Sequence, residues 1–329
     1  MPRIEERAVD RMLTLELVRV TERAAVAAAM ARGRGDEQVA DKAAVEAMWT
    51  ELNRLDVRGR IVVGEGEVGA APKLYVGEEV GTGKGPEVDI AVDPLDGRTL
   101  CAKNLPNSLA AIAVTRRGGL LHTPDIYMEK IAIGPGYAAD LVDLDMPPEE
   151  AIARLAEAKG VKPRDISACI LDRPRHAKLI ERVRETGASI RLIGDGDVAG
   201  IIYTTDPEAT GIDIYLGSGG ASEGVLAAAA LRCIGGQMRG RLLIDSDAKR
   251  RQAKEGGIAD PKRVYRVEDM AAGDVLFAAT GITDGSLFAG VRFEADAATT
   301  FSIVTRSETG TQRWIRARHR NGEKWASTV

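Results

Sequence analysis

The stretch VDIAVDPLDG, residues 88–97, joins a hydrophobic run to two closely spaced carboxylates. The apolar residues predict a buried strand that carries Asp93 at its carboxyl end. We expect Pro94 to end that strand and the following glycine turn to bring Asp96 back beside Asp93. Two carboxylates this close repel each other unless a cation or a proton lies between them. The pattern favours a divalent metal site, and the alternative is an Asx-turn in which Asp96 only caps its own loop.

A second acidic segment, GEGE at residues 64–67, follows the apolar run Ile61–Val63. Glu65 and Glu67 are therefore predicted at a strand end, where their carboxylates favour a cation. The glycines also spell GxGxxG, but acidic side chains would face a dinucleotide's pyrophosphate and Ala71-Pro72 stands where a helix should begin. We interpret the segment as part of the metal site, and the alternative is a solvated hairpin.

Two segments of the second half are predicted to bind phosphate. GSGGASEG at residues 217–224 is interpreted as a glycine-rich loop before an alanine-rich helix, whose first N–H groups attract anions. Glu223 alone would be a first-turn acid that the helix dipole stabilises. Arg173 and Arg175 stand at a strand-to-helix junction, where two guanidinium groups can grip a phosphate.

Asp195-Gly196-Asp197 lies between another strand-like run and a helix. The order resembles the DxDx[TV] nucleophile loop of haloacid-dehalogenase phosphatases, but Ala199 occupies the final position. Capping of the helix by one of the two aspartates is an equal alternative.

The remaining pattern is that of an α/β protein. Residues 8–32 repeat apolar positions every three to four residues, and Asp36 is expected to cap a second helix that runs to about Leu55. Strand-like runs lie at residues 60–64, 74–76, 88–92, 109–114, 131–133, 167–171, 190–193, 212–216, 300–304 and 313–316, and further helices are predicted at 149–159, 174–185, from 198 and at 222–233. The alternation in the second half predicts crossover connections and a largely parallel sheet.

These patterns divide the chain into two halves that pack as one unit. Residues 1–160 form an α+β half with most of the metal candidates, and residues 161–329 form an α/β half with the phosphate candidates. The segment around Pro147-Pro148 is the predicted joint.

Composition restricts the class of protein. The 329 residues are 44% hydrophobic and 4% aromatic, with a net charge of −4 and no long basic block, so a nucleic-acid partner is not expected. The start has no hydrophobic signal segment, and the small-apolar stretch Ala24–Ala31 is too short to span a bilayer. Three widely spaced cysteines suit a reducing compartment. We expect a cytoplasmic protein without a membrane partner.

Several of these segments together resemble the class II fructose-1,6-bisphosphatases of bacteria. The matching segments are IVVGEGE at 61–67, APKLYVGEEVGTGKGPEVDIAVDPLDG at 71–97, PDIYMEKIAIGPG at 124–136, ILDRPRHAKLI at 170–180, DGDVAG at 195–200, GGASEGVLAAAALRC at 219–233 and FAATGITDG at 277–285. The resemblance implies a layered α/β/α/β/α sandwich of the sugar-bisphosphatase and inositol-phosphatase type. It also implies hydrolysis of the 1-phosphate of fructose 1,6-bisphosphate, and sometimes of sedoheptulose 1,7-bisphosphate, with Mg²⁺ or Mn²⁺ in a homo-oligomer (a dimer or a tetramer).

The resemblance also implies roles for individual residues. The implied metal ligands are Asp41, Glu65, Asp93, Asp96 and Glu223. The implied contacts to sugar and phosphate are Tyr127, Arg173, Arg175, Asp195, Asp197 and the backbone near Gly220. The predicted catalytic group consists of Asp93, Asp96, Glu67, Arg98 and Thr99, in which Thr99 or Glu67 would orient the attacking water.

The chain departs from the family pattern at three positions. The family usually reads DP-x-[DE]-G-T, whereas here Arg98 follows the glycine and Thr99 comes one residue later. Glu37 stands in place of a basic residue, and Gly69 stands in place of an acid. The departures motivate two further hypotheses: a phosphosugar-binding or regulatory homologue that has lost hydrolysis, and a phosphatase for a different phosphosugar.

Overall fold

Two mixed β-sheets form the framework of the protein, and the computed structural model describes residues 13–66, 69 and 71–320. The strands are β1 (Arg58–Val63), β2 (Glu79–Val80), β3 (Glu87–Asp96), β4 (Leu109–Arg116), β5 (Tyr127–Ile133), β6 (Ser167–Leu171), β7 (Ser189–Ile193), β8 (Ile214–Gly220), β9 (Gln237–Leu242), β10 (Val264–Arg266), β11 (Val275–Gly281), β12 (Arg292–Phe293), β13 (Ala297–Arg306) and β14 (Thr311–Arg320). The eight-stranded sheet has the order β12-β13-β11-β4-β3-β1-β2 with β14 paired to β13, and the six-stranded sheet has the order β10-β9-β5-β8-β6-β7.

Helices fill the spaces on both sides of each sheet. They are α1 (Leu13–Met30), α2 (Glu37–Leu52), α3 (Arg98–Ala102), α4 (Pro148–Lys159), α5 (Ala177–Glu185), α6 (Asp197–Ile202), α7 (Pro207–Thr210), α8 (Ala221–Ile234), α9 (Asp247–Glu255) and α10 (Val267–Met270). None of the described helices is both long and apolar enough to cross a membrane.

The layers follow from which helix packs on which sheet. The helices α1 and α2 cover the outer face of the eight-stranded sheet, and α4 and α5 cover the outer face of the six-stranded sheet. Between the sheets lie α6 and α8, whose small side chains let both sheets approach closely. This α/β/α/β/α arrangement confirms the predicted fold class.

The direction of the strands differs in part from the prediction. Strand β6 is parallel to both β7 and β8, as the alternation of strands and helices predicts. Strand β5, however, pairs antiparallel with both β8 and β9 and so separates them. The prediction of a largely parallel sheet was wrong at this point because β5 comes from earlier in the chain, outside the alternating segment.

Strands from either side of residue 160 enter both sheets. The predicted division of the chain at that residue remains a proposal. Strand β5, at residues 127–133, belongs to the six-stranded sheet, and β11 to β14, at residues 275–320, return to the eight-stranded sheet.

Local signals at the first two helices are largely confirmed. Helix α1 buries Leu17, Val20 and Ala24 on one face, and the predicted residues 8–12 lie outside the described part of the chain. The Asp36 side chain accepts hydrogen bonds from the N–H groups of residues 38 and 39 and caps α2 as predicted. The predicted strand at 74–76 is wrong: this segment is a turn, and the short β2 follows it.

Glu22 on α1 is a buried acid that makes stability depend on pH. Its side chain lies under β13, where Thr300 Oγ1 donates to Glu22 Oε1 at 3.0 Å, and burial raises the pKa of Glu22 to about 7. Between about pH 4.5 and 7 the folded protein therefore holds a proton that the unfolded chain has released. Its contribution to stability is present at low pH and is lost as the pH rises to about 7.

We expect Glu22→Gln to increase the free energy of unfolding at pH 8 by up to about 3 kcal/mol, and to change it much less at pH 5. Urea denaturation at the two pH values measures both numbers. Glu16→Gln, on the exposed side of the same helix, is the control and should show no such pH dependence. An equal effect of Glu22→Gln at both pH values would contradict the buried-acid assignment.

Candidate active site

A cavity of about 450 Å³ opens where the carboxyl ends of several strands meet. Strands β1 and β3 reach it from one sheet, and β6, β7 and β8 reach it from the other. Polar groups that follow these strands therefore converge on one space, as at the strand ends of other α/β proteins. The lining includes the predicted residues Glu65, Asp93, Asp96, Arg98, Thr99, Tyr127, Arg173, Arg175, Asp195, Asp197, Gly220 and Glu223, together with Glu37.

The end of β3 holds Asp93 and Asp96. Pro94 does not end the strand as predicted, because β3 continues to Asp96 through an irregularity in its pairing with β4. A bulge tolerates proline, since the missing N–H is not needed for the ladder there. Asp93 Oδ1 accepts a hydrogen bond from the Leu95 N–H at 3.0 Å, and Gly97 then turns the chain into α3 with a φ of 80°. The Asx-turn contact thus exists at Asp93 rather than at Asp96.

Burial leaves three carboxylates of the cavity poorly compensated. Desolvation raises the pKa of Asp93, Asp96 and Glu223, and neighbouring carboxylates raise it further: Glu65 beside Asp93, Asp93 beside Asp96, and Asp197 beside Glu223. In the described part of the chain none of the three forms an ion pair with an arginine, lysine or histidine. Positive charge brought into the cavity would therefore be strongly stabilised here.

Asp41 and Glu65 differ from these three because Arg98 lies between them. Arg98 Nε is 2.9 Å from Asp41 Oδ1, and Arg98 Nη2 is 2.6 Å from Glu65 Oε2. Burial nevertheless raises the pKa of Glu65 to about 7, with Arg98 opposing that rise. The structure therefore places all five predicted metal ligands near the cavity but gives two of them an internal cation.

The donor set fits a hard divalent cation, since every candidate ligand supplies oxygen and the pair Asp93 and Asp96 with Glu223 has no cationic partner among the described residues. Although these side chains line one cavity, no three acidic, histidine or cysteine groups of the described residues lie close enough together to hold one ion. The ligand roles remain predictions.

The predicted water-orienting residues are only partly described. Glu67 lies outside the described residues. Thr99 Oγ1 donates to Glu37 Oε1 at 2.9 Å, and the Thr99 N–H donates to Asp195 Oδ2 at 3.3 Å. The Thr99 hydroxyl thus donates its proton to the hydrogen bond with Glu37, and its oxygen can still accept a hydrogen bond from a water. Gly69 is exposed, and no atom lies near the position of an added Cβ.

The two predicted phosphate-binding arginines lie at the end of β6. Arg175 Nη2 donates to the Ser218 carbonyl at 2.6 Å, and Arg175 Nε donates to Ser218 Oγ at 3.1 Å. The guanidinium also lies 4.7 Å from the centre of the Tyr127 ring. Arg173 Nη2 is 4.0 Å from Asp195 Oδ1. Arg175 is therefore oriented by its neighbours and keeps donors for a ligand.

Asp195 and Asp197 follow β7, as the sequence predicts. Neither aspartate caps α6: Gly196 is the N-cap, and the first-turn N–H of Ala199 donates instead to Asp96 Oδ2 at 3.3 Å. Burial raises the pKa of Asp195, whereas Asp197 is paired at 2.5 Å with the buried ammonium of Lys130 on β5. Sequence reasoning missed Lys130. A lysine inside the apolar run MEKIAI was the available signal, since a buried lysine requires a partner.

The predicted glycine-rich loop at 217–220 is instead the last part of β8, which passes directly into α8 at Ala221. Glycine is needed at two of these positions because carboxylates lie against the backbone. An added Cβ at Gly219 would lie 2.0 Å from Asp197 Oδ2, and one at Gly220 would lie 1.9 Å from Glu223 Oε2. The glycines thus make room for the acids of the site. The interpretation of this segment as a phosphate-binding loop did not predict that role.

Comparisons with known proteins identify the family of this chain. The family model described as "Bacterial fructose-1,6-bisphosphatase, glpX-encoded" matches residues 11–319. A protein of Synechococcus sp. (strain JA-3-3Ab), named D-fructose 1,6-bisphosphatase class 2/sedoheptulose 1,7-bisphosphatase, is 44% identical over 336 aligned positions that cover 94% of this chain and 96% of the relative. A protein of the same name from Synechococcus sp. (strain RCC307) is 44% identical over 310 positions, covering 90% and 92%. The chain therefore belongs to the bacterial class II fructose-1,6-bisphosphatase family, whose members are metal-dependent phosphatases.

Proposed function

We propose that this chain is a phosphoric monoester hydrolase that converts fructose 1,6-bisphosphate to fructose 6-phosphate and phosphate, with sedoheptulose 1,7-bisphosphate as a second substrate. The relatives carry names with both activities. The observation that carries the proposal is one cavity with buried, poorly compensated carboxylates at the end of β3 and two arginines at the end of β6. Only one phosphate of the bisphosphate is hydrolysed, so one end of the cavity has to react with a phosphate and the other end only has to bind one.

The arginine end holds the phosphate that is not hydrolysed. Arg175 is oriented by Ser218 and Tyr127, so little side-chain freedom remains to be lost when a phosphate binds. Asp195 and Asp197 accept hydrogen bonds from sugar hydroxyls between the two ends. Binding energy gained there positions the second phosphoryl group at the carboxylate end.

The carboxylate end carries out the reaction with a divalent cation, Mg²⁺ or Mn²⁺. When bound, the cation supplies electrophilic polarisation of the phosphoryl group and stabilises developing negative charge. Asp93, Asp96 and Glu223 would hold the cation at this end. Its positive charge would let the phosphate oxygens approach despite the negative carboxylates. Thr99 accepts a hydrogen bond from the attacking water and orients it toward phosphorus, with Glu67 as the second candidate for this role.

Three further features belong to the proposal. The enzyme works in the cytoplasm on a small phosphosugar of central carbohydrate metabolism (gluconeogenesis). It forms a homo-oligomer, a dimer or a tetramer. It uses neither a nucleic acid nor a membrane as a partner.

A panel of phosphosugars tests the function. Phosphate release is measured with Mn²⁺ from fructose 1,6-bisphosphate, sedoheptulose 1,7-bisphosphate, other sugar bisphosphates and the matching monophosphates. We expect fructose 1,6-bisphosphate to give the highest kcat/KM and the monophosphates to give much lower values. A higher value for another sugar would assign a different substrate, and equal values for monophosphates and bisphosphates would contradict the two-ended site.

The second candidate function is phosphosugar binding without hydrolysis. The pairing of Arg98 with two predicted metal ligands favours it, because a guanidinium there can hold a phosphate that is never released. This candidate predicts tight binding of fructose 1,6-bisphosphate by calorimetry with no phosphate release from any member of the panel. It also predicts a large gain of phosphatase activity in Arg98→Thr.

Arg175→Met is expected to lower kcat/KM for fructose 1,6-bisphosphate by about 10- to 100-fold, the value of one or two charge-assisted hydrogen bonds. The loss should fall mainly on KM, since Arg175 binds the phosphate that is not hydrolysed. Arg182→Met is the control, because that arginine pairs with Glu149 on the outer helices. If Arg175→Met lowers activity on a monophosphate by the same factor, Arg175 does not serve the second phosphate.

A further inference from the structure

Arg98 is unusual because its positive charge already lies among residues that are expected to bind metal. Its guanidinium contacts Asp41 on α2 and Glu65 after β1, at 2.9 and 2.6 Å. A guanidinium keeps its proton under all physiological conditions, so this charge is permanent. Asp41 and Glu65 therefore have a positively charged partner even when no metal ion is bound.

The other carboxylates of the cavity lack such a cation. Asp96 is buried, Asp93 and Glu223 are half-buried, and none of the three forms an ion pair within the described residues. The cavity is thus asymmetric. Arg98 lies within ion-pair distance of Asp41 and Glu65, whereas no cation of the described residues lies that close to Asp93, Asp96 or Glu223.

Contacts with α2 hold Arg98 in this position. Glu37 and Asp41 are four residues apart, so they lie on the same face of α2, which packs against α3. Glu37 accepts the Thr99 hydroxyl proton at 2.9 Å, and Asp41 pairs with Arg98 in the next turn. The unusual residues Glu37 and Arg98 thus form one set of contacts that ties the start of α3 to α2.

We propose that Arg98 is a built-in cation that replaces a bound metal ion at the Asp41–Glu65 side of the cavity. The chain then binds metal through Asp93, Asp96 and Glu223 and holds one ion fewer than it would with a neutral residue at position 98. This inference rests on the proposed metal-dependent function. It assigns Arg98 to charge compensation rather than to capture of the substrate.

Metal stoichiometry tests the inference directly. Equilibrium dialysis against Mn²⁺, with metal analysis of the retained protein, is performed on the wild type, Arg98→Met and Arg173→Met. We expect Arg98→Met to retain one more Mn²⁺ per chain than the wild type. Arg173→Met, which removes an arginine elsewhere in the cavity, should retain the wild-type number. Equal numbers for wild type and Arg98→Met would overturn the inference.

A second pair of variants does not disturb Arg98 itself. Glu223→Gln should weaken Mn²⁺ binding by at least about tenfold because it removes a proposed ligand, whereas Glu65→Gln should weaken it far less. The reverse ranking would show that Glu65 binds metal and would overturn the inference. Both experiments measure binding alone. A protein that binds Mn²⁺ as expected but releases no phosphate would refute the proposed function and leave this inference standing.

Discussion

Asp93→Asn is expected to lower phosphate release from fructose 1,6-bisphosphate by at least about 100-fold, since it removes a charge from the reacting end of the cavity. Asparagine has nearly the same shape as aspartate, so β3 should be unchanged. Without metal the variant should be at least as stable as the wild type, because burial and the neighbouring Glu65 both disfavour the charge on Asp93. Loss of activity without loss of stability would separate chemistry from folding.

Phosphate release with Mn²⁺ and urea denaturation in a chelator provide the two measurements. Asp89→Asn is a matched control: Asp89 is a buried aspartate on the same strand, but it pairs with Arg60 and Arg117 away from the cavity. The folded fraction of Asp89→Asn should keep the wild-type activity. Equal rates for wild type and Asp93→Asn would refute the proposed assignment of the active site.

Lys130→Met is expected to decrease the free energy of unfolding by about 3–5 kcal/mol, the usual effect of leaving one member of a buried ion pair without its partner. Lys130 Nζ lies 2.5 Å from Asp197 Oδ2, and the two side chains are 0% and 6% exposed. Methionine fills a similar volume, so the loss arises from the isolated charge on Asp197 rather than from a cavity. Metal-free protein is used because bound ligand would shift the apparent stability.

The double variant Lys130→Met/Asp197→Asn tests this explanation. We expect it to recover more than half of the lost stability, since it removes the isolated charge. Arg154→Met breaks an exposed ion pair of similar length with Glu150 and should change stability by only about 0.5 kcal/mol. A double variant that is no more stable than Lys130→Met would show that packing, and not charge, explains the effect.

Local patterns were sufficient for most elements of the fold. The cap at Asp36, the strand at residues 167–171 and the helix after Gly220 all follow from signals within a few residues. Two of the errors have one physical origin. The turn at residues 74–76 and the reversed direction of β5 depend on which distant strands pair, and neighbouring residues do not encode that pairing.

Charge compensation in the cavity could not be derived from spacing. The sequence showed that Arg98, Glu37 and Thr99 are unusual for the family, but not that they contact Asp41, Glu65 and each other. Lys130 was likewise visible only as a charged residue in an apolar strand. Its partner Asp197 lies 67 positions further along the chain.

The sequence by itself determined the family, many of the helices and strands, and the segment 88–97 that carries Asp93 and Asp96, because each depends on motifs or on local periodicity. The tertiary structure alone decided which of the acids share a cation. Arg98 pairs with Asp41 and Glu65, Lys130 pairs with Asp197, and Asp93, Asp96 and Glu223 have no ion-pair partner among the described residues. Electrostatic energy depends on separation in space and on burial, and both are set only when the two sheets close around the cavity.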